Sequence, residues 1–316
     1  MLLINGNWNC YDVAKIVKVL ALFQESDGVI MNETKSVVAI HDLSGFGRCS
    51  LSVISPILSV MGVQTVAVPT AVLSTHTGGF GEVCMTDLTD FVANTLEHYK
   101  RINLDFDCIY TGFLGSEEQI HHCLAFIETF KNALVVVDPV MGDNGTKYRT
   151  YTKEMCDSMV HLVKKANLIT PNKTEMFMLL KQPFNPSSLT TQEAKTCLLK
   201  LSELGPEKVI VTGVELCDMT INNIGYDRNT NSFWRIVCSY VPVSYPGTGD
   251  IFASIVVASI LDGDSLAIAM ERATRFLELT IKTTYSYGTE SRNGVMLEKN
   301  LGWLTQTHSL SDYQSL

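Results

Sequence analysis

The sequence predicts an α/β fold, a mainly parallel central sheet with helices on both faces, and three observations carry that prediction. Short apolar runs recur at 36–41, 64–69, 106–111, 133–138, 166–170 and 208–212, with the length and texture of strands buried on both faces. Segments with helical spacing of apolar residues alternate with those runs, which is the pattern of parallel crossovers. No low-complexity linker or internal repeat divides the chain. Ligands of such sheets bind beyond the carboxyl ends of the strands, so the loops there are the candidate sites.

Taken in order, the run at 36–41 leads into a polar, glycine-bearing loop, 42–50, and a helix at 51–61. The run at 64–69 leads into a second loop, 74–81, ahead of a helix at 87–99. After 106–111 comes a helix at 116–131, with Ser116 as cap and Glu117 and Glu118 in the first turn, where acidic groups complement the helix dipole. The run at 133–138 ends in a turn-rich loop, 139–145. Helices near 152–164, from Asn172 and at 190–204 alternate with the runs at 166–170 and 208–212. A small antiparallel hairpin is expected across 219–238, and helices at 249–262 and 265–284 close the pattern. Residues 11–24 are amphipathic, but nothing basic precedes them and Lys15 and Lys18 interrupt the apolar run, so they do not read as a signal peptide. Residues 1–30 are therefore set apart as an extension outside the catalytic fold, and 31–316 as one domain.

A chain of 316 residues with 46% apolar content can bury a large core. Its net charge of -9, without basic clusters, argues against a nucleic-acid surface and an anionic membrane face. No apolar run reaches the roughly 18 residues a membrane-spanning helix requires. The nine cysteines form no C-x-x-C pair and read as reduced core residues of a cytoplasmic protein.

The most informative stretch is Pro246-Gly247-Thr248-Gly249-Asp250, followed at once by an apolar helix. Amides at such a turn have no intrahelical partner, and the dipole places about half a positive charge there, so the turn suits an anion. Asp250 beside it either balances the dipole or acts as general base toward a hydroxyl that attacks a bound phosphoryl group. Asp138, where a buried run meets its loop, and Glu175, three residues after Asn172, place carboxylates at two strand ends, the minimum for holding Mg2+ through water and phosphates. Asn172 and Glu175 equally fit an ordinary capping box. The P-loop and the protein-kinase signatures are both missing from the sequence.

Four motifs in order, Asp138-Pro-Val-Met-Gly-Asp143, Thr170-Pro-Asn-Lys-Thr-Glu175, Val209-Ile-Val-Thr-Gly213 and Gly247-Thr-Gly-Asp250, resemble the ribokinase-like superfamily, specifically its vitamin kinase branch of pyridoxal (vitamin B6) and hydroxymethylpyrimidine kinases. The resemblance covers about residues 36–290. It implies Asp250 as catalytic base, the Gly247, Thr248 and Gly249 amides as anion hole, and Asp138 and Glu175 around magnesium. It also implies ATP contacts at Asp143, Tyr148, Thr170, Asn172, Thr212 and Thr248, with a monovalent cation such as K+ as a further option, and a homodimer.

Substrate choice falls to the first loops. Asp42 stands where pyridoxal kinases usually carry serine, and the run through Ser44 is similar to the pyrimidine kinases instead. His76 and Thr77 resemble the His-Thr of pyridoxal kinases, and Phe113 replaces the tyrosine of their ring-covering loop, still an aromatic able to stack on a pyridine. The expected activity is ATP-dependent phosphorylation of the 5′-hydroxymethyl group of pyridoxal, pyridoxine or pyridoxamine. The alternatives are a hydroxymethylpyrimidine (phosphate) kinase of thiamine synthesis and a catalytically idle vitamer-binding protein.

Overall fold

A computed structural model describes residues 34–316, and the expected extension with its amphipathic segment lies outside the described residues. The chain from Thr34 to Leu316 forms one compact unit. Its parallel strands are β1 (Ser36–Phe46), β2 (Gln64–Thr75), β4 (Cys108–Thr111), β5 (Leu134–Val137), β8 (Leu168–Ile169) and β9 (Lys208–Glu215). Short β3 (Met85–Asp87) pairs antiparallel with β2 at one edge. At the other edge β10 (Ile221–Asp227), β11 (Ser232–Cys238) and β12 (Gln314–Ser315) continue antiparallel, giving a ten-stranded sheet ordered β12-β11-β10-β9-β8-β5-β4-β1-β2-β3. The hairpin expected across 219–238 is thus β10–β11, fused to the main sheet. A separate two-stranded ribbon, β6 (Gly142–Asp143) with β7 (Thr146–Lys147), stands where only a loop was expected.

Two strands run further than their apolar content suggests. β1 continues through Asp42 to Phe46 and β2 through to Thr75, pairing Leu43 with Val72 and Phe46 with Thr75 after a register shift between His41 and Leu43. The partner strand supplies ladder bonds that local propensity does not, so polar and glycine residues stay extended.

Side-chain alternation sorts the core into two layers. Val38 and Ile40 of β1 face α2 (Thr89–Arg101), α3 (Glu117–Thr129), α4 (Lys153–Val163), α5 (Lys173–Leu179) and α6 (Thr191–Glu203). Val37 and Ala39 face α1 (Leu51–Val60), α7 (Thr248–Leu261) and α8 (Leu266–Ser286). Helix α7 buries nine of its residues, Ile251 to Ser259 in sequence, because it lies on the sheet and is covered by its neighbours. Cys49, Cys108, Cys123 and Cys197 are buried, Cys84 and Cys217 are exposed, and every described cysteine is free. Among the described residues no helix is long and apolar enough to cross a membrane.

Strands β2 and β4 flank β1 on opposite sides. The chain therefore reverses its direction of travel across the sheet at β1, which opens a crevice at the carboxyl end of that strand.

Candidate active site

The crevice is a cleft of about 1120 Å3 at the carboxyl ends of the parallel strands. Its floor is the start of α7. Gly247 caps that helix with φ 79°, and a Cβ there would lie 1.9 Å from the carbonyl oxygen of Arg48, so only glycine fits. The first intrahelical bond is Ile251 N–H to Gly247 O at 3.0 Å. No side chain caps the helix, so the Thr248, Gly249 and Asp250 amides before that bond form an electropositive mouth.

Asp250 sits in this mouth with its side chain 14% exposed. Its Oδ2 accepts the Ser50 N–H at 2.8 Å. Burial pushes its carboxyl up to about 7, the Ser50 amide pulls the other way, and the charge of Asp42 adds to the rise. Asp42 is itself buried. Ser50 Oγ donates to Asp42 Oδ1 at 2.5 Å and Ser44 Oγ to Oδ2 at 2.9 Å, so Ser50 couples the two aspartates through one residue. Ser50 adopts φ 51°, a left-handed backbone that lets its amide and hydroxyl serve different carboxylates.

Asp138 and Glu175 line the same cleft, and a Cβ at Gly249 would lie 3.9 Å from Asp138 Oδ2. Burial raises the Asp138 carboxyl well above its ordinary range, and the charges of Glu175 and Asp250 raise it further. Burial likewise pushes Glu175 up to about 8, against backbone amides that favour its ionised form. Its Oε1 accepts Met141 N–H at 3.1 Å and its Oε2 Asn172 N–H at 2.9 Å. Asn172 returns the bond by accepting the Glu175 N–H at 3.0 Å, completing a capping box on α5, and donates through Nδ2 to Gly142 O at 2.8 Å. The capping box and a place in the cleft wall coexist. Thr170, Thr212, Asp143 and Tyr148 line the same wall, and the ribbon β6–β7 projects Asp143 over it through an Asn144–Gly145 turn with φ 51° and 73°.

The residues expected from the last four motifs therefore meet in one cleft. The five expected from the first loops are not among the residues that line it. Asp42, with Ser44 bonded to it, adjoins Asp250 through Ser50. His76 is buried with both ring nitrogens occupied: Nδ1 accepts Gly78 N–H at 3.0 Å, so Nε2 carries the proton toward Arg292 O at 2.6 Å. That bonding makes His76 a strut between two loops of the cleft rim, Gly78–Gly79 and Ser291–Arg292. Thr77 is exposed, and Phe113 packs partly buried against the core on the far face of the sheet. Sequence reasoning missed Ser50 and His41. Ser50 stands just before an apolar helix and His41 within β1 at the end of its apolar run, and nothing in their immediate spacing marks them.

These features describe a phosphotransferase acting on a hydroxyl, and the comparisons agree. The chain belongs to the phosphomethylpyrimidine kinase family, whose model matches residues 57–295. A Bacteroides thetaiotaomicron protein assigned as a phosphomethylpyrimidine kinase, in its crystal form with pyridoxal, is 42% identical with a TM-score of 0.86, covering 90% of this chain and 100% of that one. Pyridoxal kinase from Lactobacillus plantarum is 28% identical with a TM-score of 0.80, covering 86% of this chain and 97% of that one. A chloroplastic thiamine biosynthetic bifunctional enzyme of Arabidopsis thaliana is 27% identical over 223 residues, which are 70% of this chain and 42% of that enzyme. The protein is a kinase of the vitamin kinase branch, with the fold of the pyridoxal kinases.

Proposed function

We propose that the enzyme transfers the γ-phosphoryl group of ATP to the 5′-hydroxymethyl group of a vitamin B6 vitamer. The observation that carries this reading is Asp250: a carboxyl poised at about 7, fixed through one oxygen by Ser50, in the amide-lined mouth of α7. A base with that affinity is half ionised near neutral pH, where proton abstraction from an alcohol is most efficient. In the step, the alcohol gives its proton to Asp250 and its oxygen attacks the γ-phosphorus. The bond to the β–γ bridging oxygen breaks and ADP leaves. The amides at Gly247, Thr248 and Gly249 face the phosphoryl oxygens as charge develops on them.

Asp138 and Glu175 fit a divalent cation, since two buried carboxyls raised by burial gain from a positive charge between them and the phosphates. Magnesium there would neutralise charge on the phosphates of ATP. Thr170 and Thr212 would line the phosphates, with Asn172, Asp143 and Tyr148 above them. The buried Thr170 hydroxyl adjoins Asp138 and favours its ionised form, which places it beside the carboxyl that would face the cation. The family resemblance also supports a homodimer, which light scattering of the purified protein checks, and the free thiols fit a reducing cytoplasm.

Support for the vitamer comes from the Bacteroides relative with pyridoxal. The second reading, phosphorylation of a hydroxymethylpyrimidine, has its own support in the family model and in Asp42. ADP release measured with pyridoxal, pyridoxine, pyridoxamine and hydroxymethylpyrimidine separates them. Turnover with at least one of the three pyridines above the pyrimidine is the expected result, and turnover with the pyrimidine alone transfers the assignment to thiamine synthesis. No turnover with any, alongside vitamer binding, leaves a binding protein.

A further inference from the structure

We propose that His41 is a positioning residue for Asp250, an imidazole whose Nδ1 aims at the carboxylate and holds it in one orientation toward the acceptor alcohol. The inference rests on Asp250 being the base. Alternation along β1 places His41 on the same face as Val37 and Ala39, the layer in which α7 begins. There its Nδ1 lies 4.0 Å from Asp250 Oδ1, with the ring fully buried.

Neither ring nitrogen has a hydrogen-bond partner. Leaving a buried polar group unpaired costs about 1–3 kcal/mol, a cost that an apolar side chain such as those of Val37, Val38 and Ile40 in the same strand does not carry. The ring is also immobilised. It meets Tyr110 edge-on with centroids 4.3 Å apart, and a Cβ at position 112 would lie 2.3 Å from Nδ1, so Gly112 presses on the ring closely enough to admit no side chain. Burial holds the imidazole neutral, its pKa lowered to about 3.

Asp250 needs such a neighbour because the Ser50 amide fixes only Oδ2. One bond leaves the carboxylate plane free to rotate, and Oδ1 is the oxygen left to take the proton. With its proton on Nδ1, the neutral ring would stand too far at 4.0 Å to quench the base by a hydrogen bond, and near enough for its dipole to favour one rotation of the plane. Misplacing a reacting group by about 1 Å can cost on the order of 100-fold in rate.

Steady-state kinetics of His41→Leu, His41→Asn and His41→Gln, with Asp250→Asn in parallel and Tm for each, test the inference. His41→Leu is expected to lower kcat by roughly 10–100-fold while KM for ATP and for the alcohol stays within about twofold, the signature of an interaction felt in the transition state. His41→Asn, whose amide nitrogen occupies the place of Nδ1, recovers most of the loss. His41→Gln, whose amide reaches the place of Nε2, does not. Wild-type kcat in His41→Leu, or losses that follow Tm equally in all three, overturns the inference and assigns His41 to packing. If Asp250→Asn is inactive while His41→Leu is unaffected, only this inference fails. Full turnover by Asp250→Asn removes the base itself, and the proposed mechanism with it.

Discussion

Asp250 carries two opposed demands. Its folded-state pKa of about 7 stands above the ordinary 3.8, so the fold favours the protonated carboxyl. That contribution to stability is complete below about pH 4 and is lost as pH rises through about 7, while catalysis requires the ionised form that appears over the same interval. The acid limb of kcat/KM is therefore expected to have its midpoint near 7 in wild type. Asp250→Asn, which cannot ionise, should lose at least the 10²–10⁴-fold that a positioned base typically supplies, with roughly unchanged KM for ATP. The same substitution should raise the Tm of the ligand-free protein at pH 8, raise it less at pH 5 and change it little at pH 4. A Tm that falls equally at all three pH values would show that Asp250 is a structural carboxylate and its burial no obstacle to ionisation. The residue was legible in the sequence because glycines and an apolar helix surround it. His41 was not, since its meaning lies in a contact made 209 positions along the chain, after the sheet and α7 have come together.

At the scale of elements, helix α7 shows how a sequence motif becomes a site. Its apolar run predicted a buried helix and its glycines predicted a tight entry, and both hold. The physical reason for Gly247 in particular was hidden: the turn passes against the Arg48 backbone of the β1–α1 loop, a contact no local pattern encodes. Gly247→Ala combines a left-handed backbone penalty of about 1–2 kcal/mol with a 1.9 Å clash against that carbonyl oxygen. The expected outcome is a lowered Tm and loss of turnover together, with weakened ATP affinity by calorimetry because the amides no longer face one point. An active, wild-type-stable Gly247→Ala would mean that the mouth of α7 tolerates rearrangement and is not the anion hole. Other elements were readable in kind and wrong in extent. The polar ends of β1 and β2 looked like loops because each strand supplies the other's ladder bonds, and the Asn144–Gly145 ribbon, signalled by its turn pair, was passed over because its arms are only two residues long.

For the whole molecule, the order of the strands decides what can be removed. Strand β1 is the hinge of the topology: it pairs with β2 on one side and β4 on the other, and its end feeds His41, Asp42 and Ser50 toward α7. The chain enters this central strand directly at Ser36, whose amide donates to Asp107 Oδ2 at 2.9 Å while Lys35 pairs with Asp107 Oδ1 at 2.8 Å. Every residue assigned to the proposed mechanism follows that point. A chain beginning at Thr34 is accordingly expected to fold and to match the full-length protein in kcat and both KM values. Removing a further seven residues deletes Val37 to Ile40, four side chains that are fully buried in the two layers of the core. The two valines and the isoleucine among them contribute about 1.5–3 kcal/mol each, so that shorter chain exceeds the usual stability reserve of about 5–15 kcal/mol once the central ladder is lost as well. Circular dichroism and ADP release on the two truncations measure the boundary. If the chain from Thr34 folds but has lost activity, the first thirty-three residues belong to the catalytic unit, and the division of the chain proposed from its sequence is wrong.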